Sequence, residues 1–315
     1  MKSIHLIAPS GASLDASSPL AGIKWLQSQG IEILNAACVS RVEQRFAGSD
    51  AERLAEINQL ATLSPDSVVI AMRGGYGLHR LLPDIEWSAI AKAVKSGLQI
   101  CGHSDFTTFQ LGLLAKTGAV TLAGPMLNFD FACQGEEGVD INPNAFMWTH
   151  FQKAIEGHKL DYTIQAAQPF IRKPTSGQAS GMLWGGNLTV LAGLVGTPYL
   201  PNQQQTQGGI LFLEDVNEHP YRIERMLMQL LDAGILANQS AILLGGFSAY
   251  RLYDNDRGYA LETAIEAIRR RLPENIPVLT GLPFGHQAEK LTLPVGAQAH
   301  IQYDASGFTI HSAWQ

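Results

Sequence analysis

Three side chains far apart in the chain could together make a nucleophile: the hydroxyl of Ser104, the carboxylate of Glu214 and the imidazole of His286. A serine hydroxyl attacks a carbonyl effectively only when a base takes its proton and hydrogen-bond donors receive the oxyanion. Ser104 lies in Leu98-Gln99-Ile100-Cys101-Gly102-His103-Ser104-Asp105-Phe106-Thr107, where an apolar run ends in glycine and a helical pattern begins. That order predicts a sharp strand-to-helix turn with one hydroxyl at its apex, the plan of a nucleophile elbow. The same serine also suits the N-cap of the following helix. Phe106 stands where the final glycine of G-x-S-x-G would be, so an ordinary α/β-hydrolase elbow is not supported.

The partners are equally open when read alone. Arg73-Gly74-Gly75-Tyr76-Gly77 follows an apolar run, and its backbone N–H groups could cradle an oxyanion or a phosphate, or simply make a turn. No G-x-x-x-x-G-K-S/T is present, which disfavours a nucleotide P-loop. Glu214-Asp215 also ends an apolar run. One acid could orient an imidazole, but acids also favour the start of the helix that Pro220 begins, and Glu218 and His219 are rivals. His286 closes Gly281-Leu282-Pro283-Phe284-Gly285 and is one of nine histidines. His103 adjoins Ser104, and neighbours on a sharp turn point apart, which makes it a poor base. H-E-x-x-H and paired Cys or His spacings are absent, so no metal ligand is expected.

These groups need a scaffold that brings strand ends together. Strand-like runs at 4–8, 31–35, 67–72, 98–101 and 120–123 alternate with helical patterns at 19–29, 50–62, 86–95 and 106–116. Asp50 reads as an N-cap, and Gly30 and Gly118 as helix ends. Such alternation predicts a parallel sheet covered on both faces, with working residues at the carboxyl ends of its strands. The fold class expected is α/β, an N-terminal parallel-sheet domain bearing the elbow plus a C-terminal β-rich, barrel-like α/β domain. Residues 1–130 form the first, 131–170 a linker region and 171–315 the second. The linker is marked by Gln134-Gly135-Glu136-Glu137-Gly138, Asn142-Pro143-Asn144, Pro169 and Pro174. Short strands are expected at 178–183, 209–213, 241–245, 291–294, 297–303 and 308–311, with helices at 187–194, 220–233 and 259–271.

Bulk properties exclude several classes. A net charge of -6 leaves no basic surplus for nucleic acid or an anionic membrane. Cys38, Cys101 and Cys133 make an odd count without metal spacing, which points to free thiols in a reducing compartment. The apolar run at 4–8 is too short for a signal-peptide core, and no run approaches a membrane span. A cytoplasmic setting is expected.

In their joint order these segments resemble the LD-carboxypeptidase family of bacterial cell-wall recycling. The resemblance runs from His5-Leu6-Ile7-Ala8-Pro9-Ser10-Gly11 and Arg45-Phe46-Ala47-Gly48 through the glycine turn and the Ser104 segment. It continues through Leu183-Trp184-Gly185-Gly186-Asn187-Leu188, Leu213-Glu214-Asp215-Val216-Asn217-Glu218-His219-Pro220 and the loop that ends at His286. It implies a serine peptidase without cofactor or metal, with Ser104 as nucleophile, His286 as base and Glu214 as its orienting carboxylate. The oxyanion hole would use the backbone N–H groups of Gly75 and Asp105. The implied substrate is murein tetrapeptide or a related muropeptide, cleaved before its terminal D-alanine, and the implied assembly is a homodimer. Arg73, Trp184 and Asn187 are candidates for the substrate cleft, Arg73 by charge for the terminal carboxylate; Arg73 equally suits a structural ion pair, and Trp184 core packing at the domain junction. Two alternatives stand beside this: a hydrolase of peptidyl-nucleotide antibiotics from the same family, and a non-catalytic muropeptide-binding module.

Overall fold

The structure, a computed structural model, describes residues 1–131, 142–165 and 176–314. Its first strands are β1 (Ser3–Ile7), β2 (Glu32–Leu34), β3 (Val68–Ala71), β4 (Gln99–Gly102) and β5 (Thr121–Ala123), all mutually parallel. They are connected through helices α1 (Ser17–Ser28), α2 (Asp50–Gln59), α3 (Trp87–Lys95) and α4 (Thr107–Thr117). Then come α5 (Ala145–Gly157), β6 (Lys159–Gln165), β7 (Gly177–Asn187), α6 (Leu188–Leu194), β8 (Ile210–Val216) and α7 (Pro220–Asp232). The chain ends with β9 (Ala241–Ser248), α8 (Leu261–Arg271), β10 (Val278–Thr280), β11 (Leu293–Val295), β12 (Gln298–Asp304) and β13 (Gly307–Ala313).

Two sheets result. The first has the order β11-β5-β4-β3-β1-β2, and the second β10-β9-β8-β7-β12-β13-β6. In the second, β7 to β10 run parallel, while β12, β13 and β6 add an antiparallel part. The mixed α/β class and the β-rich second half are as expected. The strand order reverses between β1 and β3, so loops leaving β1, β3 and β4 open onto one crevice.

Side-chain alternation explains how the first sheet is covered. Ile4, Leu6, Val68, Ile70 and Cys101 point to one face and pack with Leu26, Phe131, Met147 and Phe151. Ile7, Val69, Ala71 and Ile100 point to the other. That second face shares one apolar core with Phe106 and Phe109 and with Trp184, Phe212, Leu243 and Ile301 of the other sheet. The two sheets therefore bury their apolar faces together through α4.

Three expectations need correction. Residues 145–165, placed in a linker, form α5 and β6. Asn144 is not loop punctuation but the cap of α5, accepting from the Met147 N–H at 3.1 Å, and β6 pairs with β13. Strand β11 belongs to the second half of the chain yet completes the edge of the first sheet, antiparallel to β5. Helix α2 is capped by Ser49 rather than Asp50. Its hydroxyl accepts from the Glu52 N–H at 3.2 Å, and Glu52 accepts from the Ser49 N–H at 2.8 Å. The Gln134–Gly138 stretch, Cys133, Pro169 and Pro174 lie outside the described residues. Cys38 and Cys101 are buried free thiols. Among the described residues no helix is long and apolar enough to cross a membrane.

Candidate active site

Strand β4 ends at Gly102, and the chain turns at once into a single helical turn, Ser104–Phe106, that leads into α4. The turn is so sharp that Ser104 adopts φ 62°, a left-handed conformation that costs a residue with a Cβ about 1–2 kcal/mol. Glycines make the room. A Cβ on Gly102 would meet the Phe106 ring at 2.6 Å, and one on Gly74 would lie 2.5 Å from Ser104 Oγ. Phe106 thus fills the elbow from below, where the familiar motif carries glycine.

His286 arrives from the other sheet, on the loop after β10. Its Nε2 stands 3.1 Å from Ser104 Oγ, and its Nδ1 stands 2.8 Å from Glu214 Oε2. A carboxylate only accepts, so Nδ1 carries the proton and Nε2 is free to take one from the serine. Glu214 is fully buried at the end of β8. The β8–β9 register shifts here, Leu213 pairing with Leu244 and Asp215 with Phe247, so the extra residue lies on β9 opposite Glu214 while β8 stays in register with β7. Asn187 Nδ2 donates to Glu214 Oε1 at 3.1 Å and to Asp215 Oδ1 at 3.2 Å. Asp215 is spent on structure: its Oδ2 accepts from the Thr189 N–H and hydroxyl, each at 2.8 Å.

The backbone N–H of Asp105 sits in the first turn of a helix, where no intrahelical acceptor exists. It lies 3.1 Å from the position of a Cβ on Gly74, beside the Ser104 side chain. Gly75, at φ 107°, follows in the facing turn. The Asp105 carboxylate locks the two turns together by accepting from the Leu78 N–H at 3.1 Å. Burial raises the pKa of that carboxyl.

His103 lines the same cleft, its ring edge-on to that of His286 at a centroid distance of 5.1 Å, but its nitrogens are engaged elsewhere. Its Nδ1 donates to the Gly124 carbonyl at 2.9 Å, and its Nε2 accepts from Lys290 Nζ at 3.3 Å. Burial, and then the Lys290 and His286 charges, push its pKa well below 6.5. Lys290 is also paired with Asp130 Oδ1 at 2.7 Å, with both side chains buried. The cleft above has a volume of about 650 Å³ and is lined in part by Arg73, Gly75, Ser104, Phe129, Asn217 and His286.

The structure brings Ser104, Glu214, His286, Gly75, Asp105 and Arg73 to one place. It puts Trp184 and Asn187 elsewhere. Trp184 is fully buried in the shared core, its indole donating to Gln239 Oε1 at 2.9 Å, because β7 is covered on both faces. Asn187 is buried behind Glu214 and does not line the cleft. Glu218 pairs with Arg222, and His219 caps α7 while meeting Asp256 at 3.0 Å. Sequence reading missed the Asp105 carboxylate, the Asp130–Lys290 pair and the grip of Asn187 on Glu214. Asp105 carried a signal in adjoining the nucleophile; the other two depend on contacts across the sheets.

Comparison with known proteins covers both halves. Residues 4–124 match a family model described as LD-carboxypeptidase N-terminal domain, and residues 180–301 match LD-carboxypeptidase C-terminal domain. The crystal structure of muramoyltetrapeptide carboxypeptidase from Oxalobacter formigenes is similar at TM-score 0.85, with 42% identity over 99% of each chain. A probable murein peptide carboxypeptidase of Bacillus subtilis is 28% identical over 94% of this chain and 87% of its own. The microcin C7 self-immunity protein MccF of Escherichia coli is 29% identical over 92% of this chain and 86% of its own.

Proposed function

The chain belongs to the LD-carboxypeptidase family, and on that premise we propose that it is a serine carboxypeptidase needing no metal, which removes the terminal D-alanine of murein tetrapeptide, L-Ala-D-Glu-meso-diaminopimelate-D-Ala. The observation that carries the reading is the continuous hydrogen-bonded path from Ser104 through His286 to Glu214.

His286 Nε2 takes the Ser104 proton as Oγ attacks the carbonyl of the bond to D-alanine. Glu214 holds the Nδ1–H tautomer and stabilises the imidazolium that forms. The Gly75 and Asp105 N–H groups receive the oxyanion, and losing one such donor typically costs roughly 3–4 kcal/mol. The imidazolium then gives its proton to the departing amine. Water, activated by the same imidazole, cleaves the acyl-enzyme and frees the tripeptide. His103 does not compete for the proton, since both its ring nitrogens are engaged, by the Gly124 carbonyl and Lys290 Nζ, and burial disfavours its charged form.

The names of the Oxalobacter and Bacillus relatives support a murein peptide as substrate. The family resemblance supports a cytoplasmic homodimer working in peptidoglycan recycling. The likeness to the microcin self-immunity protein favours one second reading, hydrolysis of a peptidyl-nucleotide antibiotic. Purified protein is to be incubated with murein tetrapeptide, with and without EDTA, and free D-alanine followed by mass. Release in both conditions is expected. No release at high enzyme concentration would sink the reading, and turnover of a peptidyl-nucleotide alone would replace it with the second.

A further inference from the structure

Arg73 leads from β3 into the glycine turn and lines the same cleft as Ser104. Its guanidinium is half-buried and fixed at one end, where Nη1 donates to the Ala12 carbonyl at 2.7 Å. Nη2 lies 3.6 Å from the position of a Cβ on Gly75, so this group sits beside a backbone donor of the oxyanion site. Nε is buried without a hydrogen-bond partner.

Among the described residues no carboxylate pairs with Arg73. Burial and the neighbouring cation Arg45 both weaken its hold on its proton. A buried structural arginine is treated differently in this same protein. Arg53 pairs with Asp50 and also donates to the carbonyls of Pro9 and Gly48. Lys290, the other cation at the cleft, is already neutralised by Asp130. Arg73 is thus a positive group partly withdrawn from water without an anion, an arrangement that costs free energy until one arrives. Phe129, its ring centroid 5.8 Å from Arg73 Cζ, and Leu14 and Met126 give the surrounding cleft an apolar rim. Cation and rim together suit a carboxylate attached to a small side chain.

We propose that Arg73, with Arg45 reinforcing the positive field, receives the free terminal carboxylate of the peptide and thereby confines cleavage to the last residue. The inference rests on Ser104 being the nucleophile of a carboxypeptidase. A guanidinium offers a planar fork that matches a carboxylate, which a lysine ammonium does not.

The test compares murein tetrapeptide with the same peptide ending in a carboxamide, following release of D-alanine or D-alaninamide. Wild type should favour the acid in kcat/KM by about 100-fold. Arg73→Ala should bring the two substrates to near parity, chiefly by slowing the acid, while Arg73→Lys should keep part of the preference. Thermal melting checks that each variant folds, and the lysine variant retains a donor for the Ala12 carbonyl if the alanine variant does not fold. An equal loss on both substrates would make Arg73 a structural residue and overturn the proposal. So would a wild type indifferent to the amide. A wild type that releases product from neither peptide would instead defeat the carboxypeptidase reading, and the role of Arg73 with it.

Discussion

At the scale of single residues, the site depends on which atoms can hold a proton. Glu214 is buried and meets His286 through Oε2, with Asn187 on its other oxygen. Glu214→Gln keeps the size but presents the wrong tautomer partner. It should lower kcat by roughly 10³–10⁴ in steady-state assays of D-alanine release. A drop of less than tenfold would remove Glu214 from the proposed mechanism. His103 makes a prediction about stability instead. Its folded-state pKa lies below 6.5, so as pH falls the unfolded chain takes up a proton first. The stability from its buried neutral ring is complete above about pH 6.5 and is lost as pH falls toward the folded-state value. His103→Gln should therefore flatten the dependence of Tm on pH between about pH 5 and 7. Parallel profiles for wild type and variant would contradict this.

At the scale of elements, the elbow stores strain that a structural serine would not need. Ser104 is held at φ 62°. Ser104→Gly should abolish turnover yet exceed Ser104→Ala in stability by about 1 kcal/mol, read by urea unfolding. Equal stability of the two would show that the turn is not strained. Much of this element was legible beforehand, because an apolar run, a glycine and a helical pattern are local features. The choice among Glu214, Asp215, Glu218 and His219 was not. All four cluster at one strand end, and the contacts that single out Glu214, His286 Nδ1 on Oε2 and the Asn187 amide on Oε1, come from other strands and loops. Trp184 was open between cleft and core for a related reason: β7 continues through Gly185-Gly186-Asn187 and leaves the indole in the core. Gly186 is glycine because a Cβ there would meet Thr107 of α4 at 2.6 Å.

At the scale of the whole molecule, the two sheets share one apolar core, and β11 crosses from the second half to the edge of the first sheet. Nothing in local sequence could reveal that Ser104 and His286, 182 residues apart, would be hydrogen-bonded. The contact is made by docking β7 against α4, where the Asn187 N–H donates to Thr107 Oγ1 at 3.2 Å. Far-UV and near-UV signals should accordingly fall in one coincident urea transition. Two separated transitions would show that the halves are energetically independent. The central claim is that Ser104 is the nucleophile completed by this docking. Its most direct test is D-alanine release from murein tetrapeptide by Ser104→Ala beside wild type, with substrate binding followed by calorimetry. The variant should bind the peptide with near-native affinity and lose turnover by at least about 10⁴-fold. Near-native turnover by folded Ser104→Ala would contradict the account.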